Sequence, residues 1–277
     1  MRIAFIKMHG LGNDFVVLDG RTRPLPKIDA TSAAALADRH TGIGCDQLVL
    51  LEPSASADFR MRIFNPDGSE VEACGNATRA VGLLHGAAAR IETLAGVISS
   101  APSGGGIAVE MGKPRFGWNE IPLAYAMDTH AMPVAWEELD APIAVNVGNP
   151  HAIFFVPDTD AVDLARLGPE IEHDSLFPER INVNVATATA RDAIRLRVWE
   201  RGAGLTRACG TGACATAIGA MRRGLVDRKV TVRLPGGALR IEWREDGEIV
   251  MTGPATESFR GDFDPVAYGL YSSGSAE

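Results

Sequence analysis

The sequence predicts an α/β chain of the α+β kind, built as two pseudo-symmetric half-domains whose strands wrap a central helix. Three observations lead there. The first is internal repetition. RMRIFNPDGSEVEACGNATRA (Arg60–Ala80) and RLRVWERGAGLTRACGTGACA (Arg195–Ala215) align without a gap, 135 residues apart, so that Phe64 falls on Trp199, Asn65 on Glu200 and Cys74 on Cys209. The second is that the match continues outward. Gln47 falls on Asn182 at the same spacing, and within HGLGNDFVVL and NVGNPHAIFF the pair Gly12–Asn13 falls on Gly148–Asn149 at 136. The third is that each repeated cysteine leads into a small-residue helical pattern, Asn76–Ala89 and Thr211–Arg223, nearly free of charge at its start. Such a pattern suits a helix closely enclosed by sheet.

The elements follow in order. Apolar, β-branched runs predict strands at Arg2–Met8, Asp14–Leu18, Gln47–Leu51 and Phe59–Phe64, with counterparts at Ile143–Val147, Ala152–Val156, Ile181–Thr187 and Ala193–Trp199. A helix is expected over Ser32–His40, capped by Thr31 or Ser32. Another is expected over Val162–Leu167, capped by Asp158 or Asp160. Gly224 stands where a helix C′ residue belongs. Further strands are expected near Ile107–Met111, Val230–Leu234, Leu239–Trp243 and Ile249–Thr252. The Pro-bearing stretch Pro114–Pro133 reads as the inter-domain crossing. The expected division is 1–122 for the half with the first cysteine and 123–262 for the half with the second. A tail, 263–277, is free to return to the first half, and its end, SSGSAE, is expected to be mobile.

Composition narrows the function. At 277 residues the chain can hold two domains of about 130 residues, each with its own core. A net charge of −8 disfavours nucleic acid as a partner, because phosphate binding needs a basic surface. No apolar run reaches the length of a membrane span, and MRIAFIKMHG reads as a strand rather than a signal peptide. The expected compartment is the cytoplasm. Four cysteines there should be reduced thiols rather than a disulfide framework.

Cys74 and Cys209 each precede a glycine and a helix. A thiol at a helix N-terminus meets the positive end of the macrodipole, which favours its thiolate. The amides of Gly75–Asn76 and Gly210–Thr211 would then form an anion site for a carboxylate. Two thiols flanking a bound α-carboxylate is what inversion of an α-carbon needs: one removes a proton and the opposite one supplies another. Most free cysteines are simply small buried residues. The repeated ACG context sets these two apart, while Cys45 and Cys214 lack the repeat relation and read as packing.

The combination KMHGLGNDFVVLD, GIGCDQ, FNPDGSEVEACGN, NVGNPHA, ERINVNV and VWERGAGLTRACGTGACA resembles diaminopimelate epimerases, over Lys7 to Ala215. That resemblance implies two halves, each a mixed sheet around a helix, with the active site in the cleft between them. It implies pyridoxal-independent interconversion of LL- and meso-diaminopimelate, with Cys74 and Cys209 as the acid–base pair. His151 and Glu200 would lie near the thiols and tune their protonation. Asn13, Gln47, Asn65, Asn149 and Asn182 would hydrogen-bond the substrate. Gly75, Asn76, Gly210 and Thr211 would bind through the helix N-termini, and Glu200 and Arg201 would also contact the ligand. No cofactor and no metal is implied, and a homodimer is. The chain departs from the family pattern at Ala77, Thr78, Ala80, Leu205 and Cys45, none of them among these residues.

Two other readings are open to the sequence. One is a different enzyme on the same fold, a proline racemase, a hydroxyproline epimerase or a single-base isomerase. Two cysteines disfavour the single-base class, and the amide-rich set with Glu200–Arg201 suits a substrate with a charged distal end. The other is a metal- or redox-linked binding protein, but no CxxC occurs and the Cys209–Cys214 spacing suits no common zinc module.

Overall fold

The computed structural model describes residues 2–270, so the SSGSAE tail lies outside the described residues. The described chain forms two compact units, residues 2–109 with 254–270 and residues 110–253. It leaves the first unit after Val109 and returns to it after Gly253, upstream of both expected boundaries. The stretch 114–133 therefore lies inside the second unit.

The first unit contains β1 (Ile3–Gly10), β2 (Asn13–Asp19), α1 (Ala30–Ala37), β3 (Gln47–Glu52), β4 (Phe59–Phe64), β5 (Glu70–Val71), α2 (Gly75–His85), β6 (Ala89–Thr93), β7 (Gly96–Ser103) and β8 (Gly106–Glu110). The second contains the short hairpin β9 (Ala135–Trp136) and β10 (Leu139–Asp140), then β11 (Ile143–Asn146), β12 (Pro150–Phe155), α3 (Leu164–Glu172) and β13 (Asn182–Ala190). It continues through β14 (Ala193–Glu200), β15 (Gly204–Thr206), α4 (Gly210–Arg222), β16 (Lys229–Leu234), β17 (Gly237–Trp243) and β18 (Ile249–Gly253). The last strand, β19 (Thr256–Phe263), pairs antiparallel with β1 and so belongs to the first unit.

Both units follow one mixed pairing scheme, down to the register. In the first, β2 runs parallel to β3 with Phe15 opposite Gln47, and β4 lies antiparallel to β3 with Phe64 opposite Leu48. In the second, β12 runs parallel to β13 with His151 opposite Asn182, and β14 lies antiparallel to β13 with Trp199 opposite Val183. The next pairs also correspond, β4 parallel to β6 and β14 parallel to β16. The duplication seen in the sequence is thus a duplication of hydrogen-bonded register.

Strand sequences such as FVVL and LVLL are apolar at every position because both sheet faces are covered. In the first unit Phe15, Val17, Val49 and Leu51 pack with Ala77, Ala80 and Val81 of α2, while Val16, Leu18, Leu48 and Leu50 pack with Ala33, Leu36 and Ala37 of α1. In the second unit Val183 and Val185 of β13 pack with Leu164, Leu167 and Ile171 of α3. The small residues of α2 admit close approach: a Cβ on Gly82 would stand 2.9 Å from Ile107 Cγ2.

Several boundaries differ from those expected. The cap of α1 is Asp29, whose carboxylate accepts from Ser32 N, while Ser32 Oγ accepts from the Asp29 amide, completing a capping box. Thr31 and Ser32 are inside the helix, which stops at Ala37. Asp158 caps a 3-10 turn at Thr159–Ala161, and Asp163 caps α3, which runs on to Glu172. The second helix closes at Gly86 in the left-handed conformation, freeing Ala89–Thr93 to form β6.

Candidate active site

Each cysteine of the repeat is the N-cap of its helix: Cys74 for α2 and Cys209 for α4, both with extended backbone. The first-turn amides of a helix have no intrahelical acceptor, so Gly75–Asn76 and Gly210–Thr211 offer donors and a positive helix end beside each thiol. Among the described residues no disulfide joins the four cysteines. Thr78 Oγ1 donates to the Cys74 carbonyl at 2.9 Å, a back-bond that holds the start of α2.

In the first unit, polar side chains gather at the β1–β2 turn, where Gly12 takes φ +93°. Asn13 Oδ1 accepts from Asn76 Nδ2 at 3.0 Å, and Asn13 Nδ2 donates to Asp46 at 3.1 Å. Asp46 also receives the Asp14 amide and an Arg39 guanidinium nitrogen. Burial would raise the Asp14 carboxyl, but hydrogen bonds from Arg39 and Lys7 outweigh it and hold the group down to about 2. Gln47 Nε2 donates to Asn65 Oδ1 at 3.3 Å, and Asn65 Nδ2 donates to Ser69 Oγ at 3.1 Å. Asn13 with Asn76, and Gln47 with Asn65, are therefore brought together as two linked amide pairs.

The second unit carries the mirrored set, with Gly148 at φ +107° in the equivalent turn. Here Asn182 is 2 % exposed and its amide is committed to backbone: Nδ2 donates to the Pro150 carbonyl at 2.8 Å, and Oδ1 accepts from the Arg201 amide at 2.9 Å. It ties the turn that carries Asn149 to the turn that carries Glu200 and Arg201. Arg201 itself is exposed, with Nη1 on the Glu179 carbonyl.

Cys209 is 3 % exposed, and its Sγ accepts from the Gly212 amide at 3.3 Å and lies 3.5 Å from Thr211 Oγ1. Burial chiefly, and then the negative charge of Glu200, push its thiol well above the ordinary value against those two contacts. Cys209 therefore rests as the protonated thiol. Glu200 accepts from Thr206 Oγ1, which fixes the carboxylate beside that thiol.

His151 has no exposed surface. Its Nε2 lies 3.0 Å from Asn149 Oδ1 and its Nδ1 lies 3.2 Å from Asn184 Nδ2. Burial penalises the imidazolium and Arg201 adds to the penalty, so the pKa falls to about 3 although the Asn184 amide oxygen, 3.4 Å from Nδ1, opposes it. The ring is neutral across the physiological range and is not itself a proton reservoir.

Reading the sequence missed four residues that hold this arrangement. Asn184 reaches Thr216 Oγ1 at 3.1 Å and the Gly212 carbonyl at 3.3 Å. The alternation in NVNV was a usable signal, since period two puts Asn182 and Asn184 on one sheet face. Thr216 left no local signal, nor did Glu172, whose carboxylate accepts from Trp199 Nε1 and the Gly202 amide, and Asp46 was visible only as the neighbour of Gln47.

The model of the family described as diaminopimelate epimerase matches residues 5–117 and 143–257. The chain belongs to the diaminopimelate epimerase family. It is 70 % identical over 264 residues to the diaminopimelate epimerase of Erythrobacter litoralis, covering 95 % of this chain and 98 % of that one. It is 57 % identical over 269 residues to that of Zymomonas mobilis, covering 97 % and 100 %. Among solved structures, a Bacillus anthracis phenazine biosynthesis protein of the PhzF family shares the fold at TM-score 0.69 and 17 % identity, over 95 % of this chain and 99 % of that one. A probable proline racemase from Agrobacterium radiobacter does so at 0.66 and 16 %, over 96 % and 95 %. The family is one of isomerases, and the α+β architecture expected from the sequence is the one found.

Proposed function

We propose that the chain epimerises LL-2,6-diaminopimelate to the meso isomer, a step toward lysine and cell-wall precursors. The reaction needs no cofactor and runs through Cys74 and Cys209 acting from opposite sides of the α-carbon. The observation that carries this reading is the equivalence of the two thiols. Each is the N-cap of a matching helix on a matching sheet, in a member of the diaminopimelate epimerase family.

The α-carboxylate lies against the first-turn amides of α2 and α4, where two helix ends favour an anion. The Cys74 thiolate takes the α-proton and becomes a thiol, leaving the electron pair on the α-carbon. Cys209, protonated at rest, gives its proton to the opposite face and becomes the thiolate. In the reverse direction the two exchange roles. Glu200 beside Cys209 sets how readily that thiol ionises. The amides of Asn13, Gln47, Asn65 and Asn149 receive the rest of the ligand, with Arg201 adding a charge-assisted bond, while Asn182 positions the turns around it.

Among the described residues no helix is long and apolar enough to cross a membrane, and no three His, Cys, Asp or Glu side chains gather as a metal site would require. We place the enzyme in the cytoplasm as a homodimer acting on a small molecule, with neither nucleic acid nor membrane as a partner. The test is purified protein with LL-diaminopimelate and a chelator, without added cofactor, following the meso isomer by chiral separation. No meso product, or activity restored only by pyridoxal phosphate or a metal, overturns the reading.

A further inference from the structure

Beneath the N-terminal turn of α4 lies a buried polar set with no counterpart in the first unit. His151, Asn184 and Thr216 are each wholly buried. The shared strand register and the repeat spacing place Phe15, Val49 and Val81 at the equivalent positions, with Ala77 in place of Gly212. Those four pack together in the apolar core under α2. The scaffold is therefore built once with hydrocarbon at these positions and once with hydrogen-bonding groups. The fold does not require the polar version.

The contacts determine what that version does. Asn149 Oδ1 is an acceptor, so the ring nitrogen 3.0 Å away, His151 Nε2, must carry the proton. A neutral ring then has an unprotonated Nδ1, which needs a donor. Asn184 brings both amide atoms to that nitrogen, Oδ1 at 3.4 Å and Nδ2 at 3.2 Å; only the nearer Nδ2 can donate to it, and it places its other hydrogen between Thr216 Oγ1 and the Gly212 carbonyl. The chain of bonds has one consistent direction, from Asn184 to His151 to Asn149. With its oxygen engaged by the imidazole N–H, half-buried Asn149 keeps its NH2 group as two donors.

We propose that Asn184 and Thr216 are positioning residues that lock His151 in the Nε2–H tautomer, and that the locked ring fixes Asn149 as a hydrogen-bond donor toward a carboxylate of the ligand. The relay thus selects which end of an amide the ligand meets. A free asparagine could present either. Thr216 holds the Asn184 rotamer from the helix that carries Cys209, so the donor set and the thiol move as one body.

This inference rests on the functional reading above for its ligand, but its first test uses no ligand. The nitrogen-15 spectrum of ring-labelled wild-type protein at neutral pH is expected to show His151 as the neutral Nε2–H form. An Nδ1–H form or an imidazolium overturns the proposal. Asn184→Asp provides the second test, because a carboxylate only accepts and so demands a proton on Nδ1. The signal should change to the Nδ1–H or doubly protonated form, and KM for diaminopimelate should rise roughly 10–100-fold, the loss expected for a misdirected bond to a charged group, with a smaller change in kcat. Thr216→Ser keeps the hydroxyl and should behave as wild type, whereas Thr216→Val should follow Asn184→Asp in KM. An Asn184→Asp protein with an unchanged tautomer and KM, or a Thr216→Ser protein as impaired as Thr216→Val, refutes the relay. A wild-type protein with the Nε2–H signal but no epimerase activity would instead remove the functional reading and leave the tautomer lock standing.

Discussion

Glu172, 2 % exposed on α3, accepts a hydrogen bond from Trp199 Nε1 at 2.7 Å. Its other oxygen accepts from the Gly202 amide at 3.0 Å. One carboxylate therefore grips the chain on both sides of Glu200 and Arg201. Gly168 lies under the same indole, where a Cβ would stand 2.5 Å from Trp199 ring atoms.

Replacing Glu172 with Leu should take the acceptor from two part-buried N–H groups, Trp199 Nε1 and the Gly202 amide, at a cost of about 1–2 kcal/mol. The turn that aims Glu200 should also loosen. Urea unfolding measures the first effect and kcat the second. Unchanged stability would mean that water or a neighbour takes over both bonds.

Alanine at either Cys74 or Cys209 should lower epimerisation in both directions by about 10²–10⁴-fold, since inversion needs a group on each face. In deuterated water, early product should carry deuterium at the inverted carbon while remaining substrate keeps protium. A single-cysteine variant of near-native rate, or early product retaining protium, would show that one base does the work.

Glu200→Gln should make Cys209 easier to ionise. The negative charge of Glu200 and its hydrogen bond both raise that thiol, and the glutamine amide carries no charge while its oxygen still serves Thr206. The limb of the pH–rate profile that reports Cys209 should move to lower pH as the rate falls. A slower enzyme with an unmoved profile would assign Glu200 to binding alone.

His151 makes stability depend on pH. In the unfolded chain an imidazole binds a proton near 6.5, whereas in the folded protein it does so only near 3. The unfolded state thus holds more protons between those values. Stability is full above 6.5 and declines as pH falls, with a slope of up to about 1.4 kcal/mol per unit from this group. Urea titrations at pH 7, 6 and 5 should show that decline, and His151→Phe should flatten it. Equal slopes in both proteins would mean that His151 takes up its proton in the folded state as readily as in the unfolded chain.

The elements legible in the sequence were those whose cause is local. The apolar runs of β2, β3, β12 and β13 mark strands covered on both faces, and each central helix begins at the residue after its repeated cysteine. The caps at Asp29 and Asp163 were misplaced by a few residues because neighbouring Thr, Ser and Asp residues offer equally good capping groups. No expectation covered β19, and its reason is visible: TESFRGDF is exposed over most of its length, so no apolar alternation announces it. Among the site residues, Asn182 was legible through the repeat. Glu172 was not, because its meaning lies in an indole 27 residues away.

The pairing of β19 with β1 has a consequence for the order in which the chain becomes structured. Residues 110–253 form a contiguous unit, complete as soon as they are made. The first unit is not contiguous, because the partner on one side of Ile3–Gly10 begins only at Thr256. During vectorial synthesis β1 pairs with β2 early, yet its other row of amides and carbonyls waits until the whole of the second unit has been made. An open strand edge is a template for another chain. The first unit is thus closed only after the second is complete, and until then its exposed edge is open to mispairing.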